Sequence, residues 1–195
     1  MLLVPVILII PYLGINQEIG WGLLEASLGI PVTMLLADLV FIIASITDQL
    51  DGYIARSKNM VTTFGKFLDP LADKILVLTA LIMLVQSDRL PAWIPAIILT
   101  REFLVSGYRL VAAEKGGQVI AASFWGKVKT VTQMLAIVVA FVDIHAFGEF
   151  ITYGYSFTKV GFVVNMSSTL LMSLAVIATI FSGYDYLKNG KELLK

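Results

Sequence analysis

Residues 48–73 read DQLDGYIARSKNMVTTFGKFLDPLAD, and their spacing decides how the whole chain folds. Reduced to its chemistry, the stretch is Asp-x-x-Asp-Gly-x-x-Ala-Arg, eight residues, then Gly-x-x-x-Asp-x-x-x-Asp. On a helix, Asp48, Asp51 and Gly52 are three and four positions apart and share a face; Gly65, Asp69 and Asp73 step by four and share another. The polar segment 56–63 contains Asn59 and predicts a turn joining two antiparallel helices. Such a hairpin carries two carboxylates from each helix toward a common point. Long apolar runs flank it on both sides, and an unpaired charge at a bilayer centre costs at least ~2.5 kcal/mol, so these carboxylates need a partner.

Oxygen ligands in that number suit a hard divalent cation such as Mg²⁺ or Mn²⁺. The chain has no Cys and one His, His145, which argues against zinc. There is room for two ions bridged by carboxylates about 3.5–4 Å apart, the arrangement that clamps a phosphate during displacement chemistry. Gly52, Ala55 and Gly65 remove side chains beside the acids, so a ligand can approach the backbone closely. Arg56 adds a planar fork that suits a pair of phosphate oxygens. Metal-bound phosphates are the expected occupants.

Outward from this hairpin the chain reads as an all-α integral membrane protein. Of its 195 residues, 58% are hydrophobic and 14% charged, far from the soluble balance. Several runs approach the ~20 apolar residues of a spanning helix. One transmembrane domain is expected, with six spans at about 1–14, 31–57, 64–85, 91–114, 122–142 and 157–186. Pro31 and Pro91 open helices, Gly116 and Gly117 break one, and a softer stretch is expected near Asn165 in the last. Residues 14–29, with Asn16, Glu18, Gly20 and Glu25, read as a loop. Net charge is zero, so no basic field for nucleic acid exists. Residues 1–13 lack the basic start of a cleaved signal peptide.

The positions Asp48, Asp51, Gly52, Ala55, Arg56, Gly65, Asp69 and Asp73 together resemble the complete signature of the CDP-alcohol phosphatidyltransferases. The surrounding words GKFLDPLADK, TREFLVSGYRL, WGKVKT and FSGYDY resemble the phosphatidylglycerophosphate synthase branch of that family. The resemblance implies six membrane helices, a homodimer, and two metal ions near the cytoplasmic face held by Asp48, Asp51, Asp69 and Asp73. It implies a cytidine diphosphate site lined by Gly52, Ala55, Arg56 and Gly65, with Thr63 as a further nucleotide contact, and Asp73 doubling as the base. The family also begins with an amphipathic segment not found in residues 1–13, and two readings follow: the native chain starts earlier, so that the first helix is truncated here, which is the favoured one, or the protein has lost that segment.

With the hairpin end toward the cytoplasm, Arg56, Lys58, Lys66, Lys115, Lys127, Lys129, Lys188, Lys191 and Lys195 fall on that side, and only Arg89 and Lys159 lie near the other. This obeys the positive-inside rule and sets the chain in the cell membrane with the site facing the cytoplasm. The implied reaction moves the phosphatidyl group of CDP-diacylglycerol to an alcohol and releases CMP. Arg101 and Arg109, two steps of four apart, lie on one side of the fourth helix; Lys127 and Lys129 open the fifth, with one of them facing inward. These cations suit an anionic acceptor, and glycerol 3-phosphate fits the branch. Two alternatives stay open: the same chemistry on another alcohol, such as inositol phosphate or serine, and a divalent-cation transporter whose acidic hairpin lines a path. Adjacent helix residues point apart, so Arg101 and Glu102 are not expected to pair; Asp38 reads as a satisfied interhelical contact and His145 as a packing residue.

Overall fold

The computed structural model describes residues 3–10, 30–57, 63–114, 124–153 and 158–190. Among the described residues every regular element is helical: α1 (Leu3–Ile9), α2 (Val32–Ser57), α3 (Thr63–Gln86), α4 (Trp93–Glu114), α5 (Phe124–Val142), α6 (Glu149–Tyr153) and α7 (Lys159–Gly190). The short α6 was not foreseen. α7 is unbroken through Asn165, so the softer stretch expected there is absent.

The α5–α7 pair is the most extensive helix contact, and its residues explain why. On α5 the buried side chains are Lys129, Gln133, Ala136, Ile137, Ala140 and Phe141, a stripe of threes and fours. On α7 the buried stripe runs Asn165, Ser168, Thr169, Met172, Ala175, Val176, Thr179 and Ser182. Small residues on both stripes let the helices approach closely, as in membrane bundles. Leu170, Leu174, Ile177 and Phe181 face outward and are exposed, while Asn165, Thr179 and Ser182 are inside. That inversion of the soluble pattern fits a hydrocarbon surrounding. α5 and the stretch from Lys159 to Lys188 are each long and apolar enough to cross a membrane.

Around this pair, α2 packs on α5, α4 on α7, and α3 on α2, α4 and α5; α1 lies against α2 and α3. The shared core includes Ile7, Phe41, Leu81, Leu84, Ile98 and Ile137. Asp38 is buried in α2, and its Oδ1 has no hydrogen-bond partner among the described residues, so the expected interhelical contact is incomplete.

One end of the bundle is closed by polar clamps. α3 stops where Asp88 adopts φ 57°, which lets the Arg89 N–H reach the Leu84 carbonyl (3.0 Å) and the Asp88 N–H reach that of Val85 (3.1 Å). This is the Schellman ending, with Asp in the place usually held by Gly. The buried Arg89 then donates from Nη1 to the Phe141 carbonyl at 2.5 Å, satisfying an orphan acceptor at the end of α5. Asn165, fully buried, donates from Nδ2 to Asp143 Oδ2 (2.9 Å) and to the Ala146 carbonyl (3.0 Å), and accepts the Phe150 N–H (2.9 Å). The opposite end, where α2 finishes and α3 begins, carries the acidic motif.

Candidate active site

α2 presents Ala44, Thr47, Asp48 and Asp51 on one face, at spacings of three and four, and α3 presents Ala72 and Leu76 opposite. With Val4 of α1 they line a cleft of about 80 Å³, room for several water-sized groups. Ala44 and Ala72 keep the walls low, and Thr47 turns its hydroxyl back to the Ile43 carbonyl (2.7 Å). Asp51 is exposed and Asp48 half-buried, so one carboxylate meets water and the other the bundle. Asp73 follows Ala72 directly, is half-buried, and lies within electrostatic reach of Asp48.

Asp73 also feels a second set of charges, those of Lys74, Glu102 and Lys129. Lys129 is buried and its amine bonds Glu102 Oε1. The same oxygen is 3.4 Å from Nη1 of Arg101. Arg101 in turn bonds Ser182 Oγ through Nη2, and its guanidinium lies 5.6 Å from the centre of the Tyr186 ring. The Lys74 amine bonds Ser106 Oγ, and that hydroxyl donates to the Glu102 carbonyl (2.7 Å). Three cations from α3, α4 and α5 thus gather about one carboxylate, and Asp73 is within electrostatic reach of both this cluster and Asp48 of the acidic cleft.

Residues 1–181 match the family model for CDP-alcohol phosphatidyltransferase. The chain belongs to the CDP-alcohol phosphatidyltransferase family. It is 43% identical over 194 residues, 99% of this chain and 91% of the relative, to a CDP-diacylglycerol--glycerol-3-phosphate 3-phosphatidyltransferase of Bacillus subtilis. A relative of the same name from Haemophilus influenzae is 38% identical over 82% of this chain and 79% of its own length. A probable phosphatidylglycerophosphate synthase of Mycobacterium tuberculosis is 36% identical over 77% of this chain and 64% of its own length.

As a CDP-alcohol phosphatidyltransferase the chain is a membrane enzyme, and its motif residues can be located. Asp48 and Asp51 share the cleft, and Asp73 lies next in sequence to its Ala72 and within electrostatic reach of Asp48. At Gly52, Ala55, Arg56, Thr63, Gly65, Asp69 and Arg109 the structure describes the backbone alone, which is helical. Of the expected acceptor cations, Arg101 and Lys129 meet in the cluster, whereas Lys127 is exposed, because two residues turn a helix by more than half a circle. The expectation that Arg101 and Glu102 do not pair is corrected: their side chains are long enough to bend together, and Lys129 draws Glu102 into the same place. Thr47, Lys74, Ser106, Ser182 and Tyr186 join the site without having been singled out from sequence. Lys74 carried a signal in being a cation inside the apolar run after Asp73. Among the described residues no three Asp, Glu, His or Cys close on one point. The donors that line the cleft are nevertheless carboxylates, with no sulfur or imidazole near, and this set fits a hard divalent cation.

Proposed function

We propose that this enzyme transfers the phosphatidyl group of CDP-diacylglycerol to glycerol 3-phosphate, giving phosphatidylglycerol phosphate and CMP. The observation that carries this reading is that two opposite sets of charge, a carboxylate-lined cleft able to take a metal-bound diphosphate and a buried cation cluster able to take an acceptor's phosphate, both lie within electrostatic reach of Asp73. The names of the relatives agree with it.

Asp48, Asp51, Asp69 and Asp73 would hold the cations. Two ions of Mg²⁺ or Mn²⁺ held there would neutralise the diphosphate charge and polarise the phosphorus. Gly52, Ala55, Arg56, Thr63 and Gly65 receive the cytidine diphosphate. Arg101 and Lys129, together with Arg109 and Lys127, bring the acceptor's phosphate in. The Asp73 carboxylate accepts the proton of the attacking hydroxyl as the new oxygen–phosphorus bond forms and the bond to CMP breaks, so CMP leaves with the electron pair. No Ser, Cys or His nucleophile is required.

The same proposal extends to the setting. The chain crosses the cell membrane six times and acts as a homodimer, with its site on the cytoplasmic side, where the lipid donor and a water-soluble acceptor both arrive. The deciding experiment is CMP release by purified protein in detergent with CDP-diacylglycerol and, in turn, glycerol 3-phosphate, inositol phosphate and serine. Release with glycerol 3-phosphate alone is expected. Release with another alcohol instead moves the acceptor assignment, and metal flux through liposomes without CMP release abandons the enzyme mechanism.

A further inference from the structure

Lys74, Arg101 and Lys129 form a concentration of positive charge in the interior, and among the described residues the Glu102 carboxylate bonds two of them, Arg101 and Lys129. Lys129, Arg101 and Glu102 side chains are only 7%, 12% and 20% exposed, so water does little to screen them. A cation pocket left empty in such surroundings repels itself. The cluster is also underused. Arg101 Nε is buried with no hydrogen-bond partner among the described residues, and the Lys129 amine has three N–H groups of which its bond to Glu102 takes one.

We propose that Glu102 is a positioning residue that acts as an internal counter-ion for the acceptor's phosphate. Its carboxylate holds the Lys129 amine and the Arg101 guanidinium toward the site, and a dianionic phosphate monoester takes both over on binding. The inference rests on the reading that the acceptor is phosphorylated, and it adds a source of specificity. A phosphate offers two charges and three acceptor oxygens, enough to displace one carboxylate and engage the idle Arg101 Nε. An uncharged or zwitterionic alcohol offers no such exchange, so the cations stay with Glu102 and the alcohol finds no anchor. The Arg101 contacts to Ser182 and Tyr186 keep the guanidinium in place while its carboxylate partner changes.

The test uses the full chain in detergent with EDTA present, so that no metal-dependent turnover enters the readout. Thermal unfolding is titrated with inorganic phosphate against sodium chloride at matched ionic strength. The wild type is expected to be stabilised by phosphate, and Glu102→Gln to reach half-saturation at about tenfold lower phosphate, the change expected for one competing charge-assisted contact. Lys129→Gln is expected to lose the response. In turnover, Glu102→Gln lowers KM for glycerol 3-phosphate without altering that for CDP-diacylglycerol, and inorganic phosphate becomes a stronger inhibitor. Glu102→Asp, which keeps the charge on a shorter arm, falls between and serves as the deciding variant where Glu102→Gln does not fold. A half-saturation point unchanged or raised in the two Glu102 variants, or no phosphate response in any protein, overturns the proposal. A wild type that releases CMP with an unphosphorylated alcohol and not with glycerol 3-phosphate instead overturns the acceptor reading.

Discussion

Replacing Asn165 with Leu tests whether the clamp at the closed end of the bundle holds the enzyme together. Asn165 is fully buried, and the substitution keeps its branched shape while deleting three hydrogen bonds: to Asp143 Oδ2 at 2.9 Å, to the Ala146 carbonyl at 3.0 Å and from the Phe150 N–H at 2.9 Å. Interhelical hydrogen bonds in membranes average about 0.6 kcal/mol, a neutral buried bond elsewhere contributes about 1, and one to a charged group about 1.5–3. The sum runs from about 2 kcal/mol to about 5, reduced by roughly 1 for the apolar area that Leu buries. A loss of about 3 kcal/mol is therefore expected, read as a fall in Tm of about 6–12 °C for a chain of this size. The assay is thermal unfolding in detergent, paired with CMP release at 25 °C, which is expected to survive because the site lies at the other end. Asn165→Asp sets a second carboxylate against Asp143 and is expected to cost more, while Asp143→Asn combined with Asn165→Asp restores a donor–acceptor pair and recovers part of the loss. A Leu variant within about 0.5 kcal/mol of wild type, below the value of one average bond, refutes the reasoning.

Four further outcomes follow from the same geometry. Asp73→Asn is expected to lower kcat by about 10²–10⁴-fold while binding of the CDP-lipid persists, and substantial residual turnover would remove Asp73 as the base. EDTA is expected to abolish CMP release, with recovery on adding Mg²⁺ or Mn²⁺; Asp48→Asn should raise the metal concentration needed, and activity that persists in EDTA ends the metal proposal. Asp88→Gly relieves a left-handed residue (φ 57°) at the end of α3 and is expected to stabilise by up to about 1 kcal/mol in thermal unfolding; a destabilised variant shows that the Asp88 side chain contributes more than its strain costs. Arg89→Met strips the Phe141 carbonyl of its charged donor and is expected to cost about 2–3 kcal/mol by the same measurement, so an unchanged Tm speaks against that contact.

Much of the site could be read from spacing because helices convert spacing into faces. Asp48 and Asp51 had to share a side of α2, and Lys127 and Lys129 had to oppose each other on α5; both hold in the structure. What spacing cannot report is how far a side chain bends once neighbours pull on it. Arg101 and Glu102 were assigned to separate directions by backbone geometry alone, yet Lys129, arriving from another helix, gathers both onto one carboxylate oxygen. Asn165 misled for a related reason. A polar residue in an apolar run reads as a weak point, but here it makes three hydrogen bonds, with partners from the loop after α5 and from α6.

Read alone, the order of residues already dictates a helical membrane enzyme with its acids grouped in one hairpin, because periodicity, apolar length and short-range spacing are local properties of a chain. The placing of Asp73 within electrostatic reach of both Asp48 and a cation cluster, and the role of Glu102 as the hub of that cluster, depend on α3, α4, α5 and α7 arriving at one place. Those contacts join residues as far apart as Arg101 and Ser182, and only packing brings such distant charges within reach of one another.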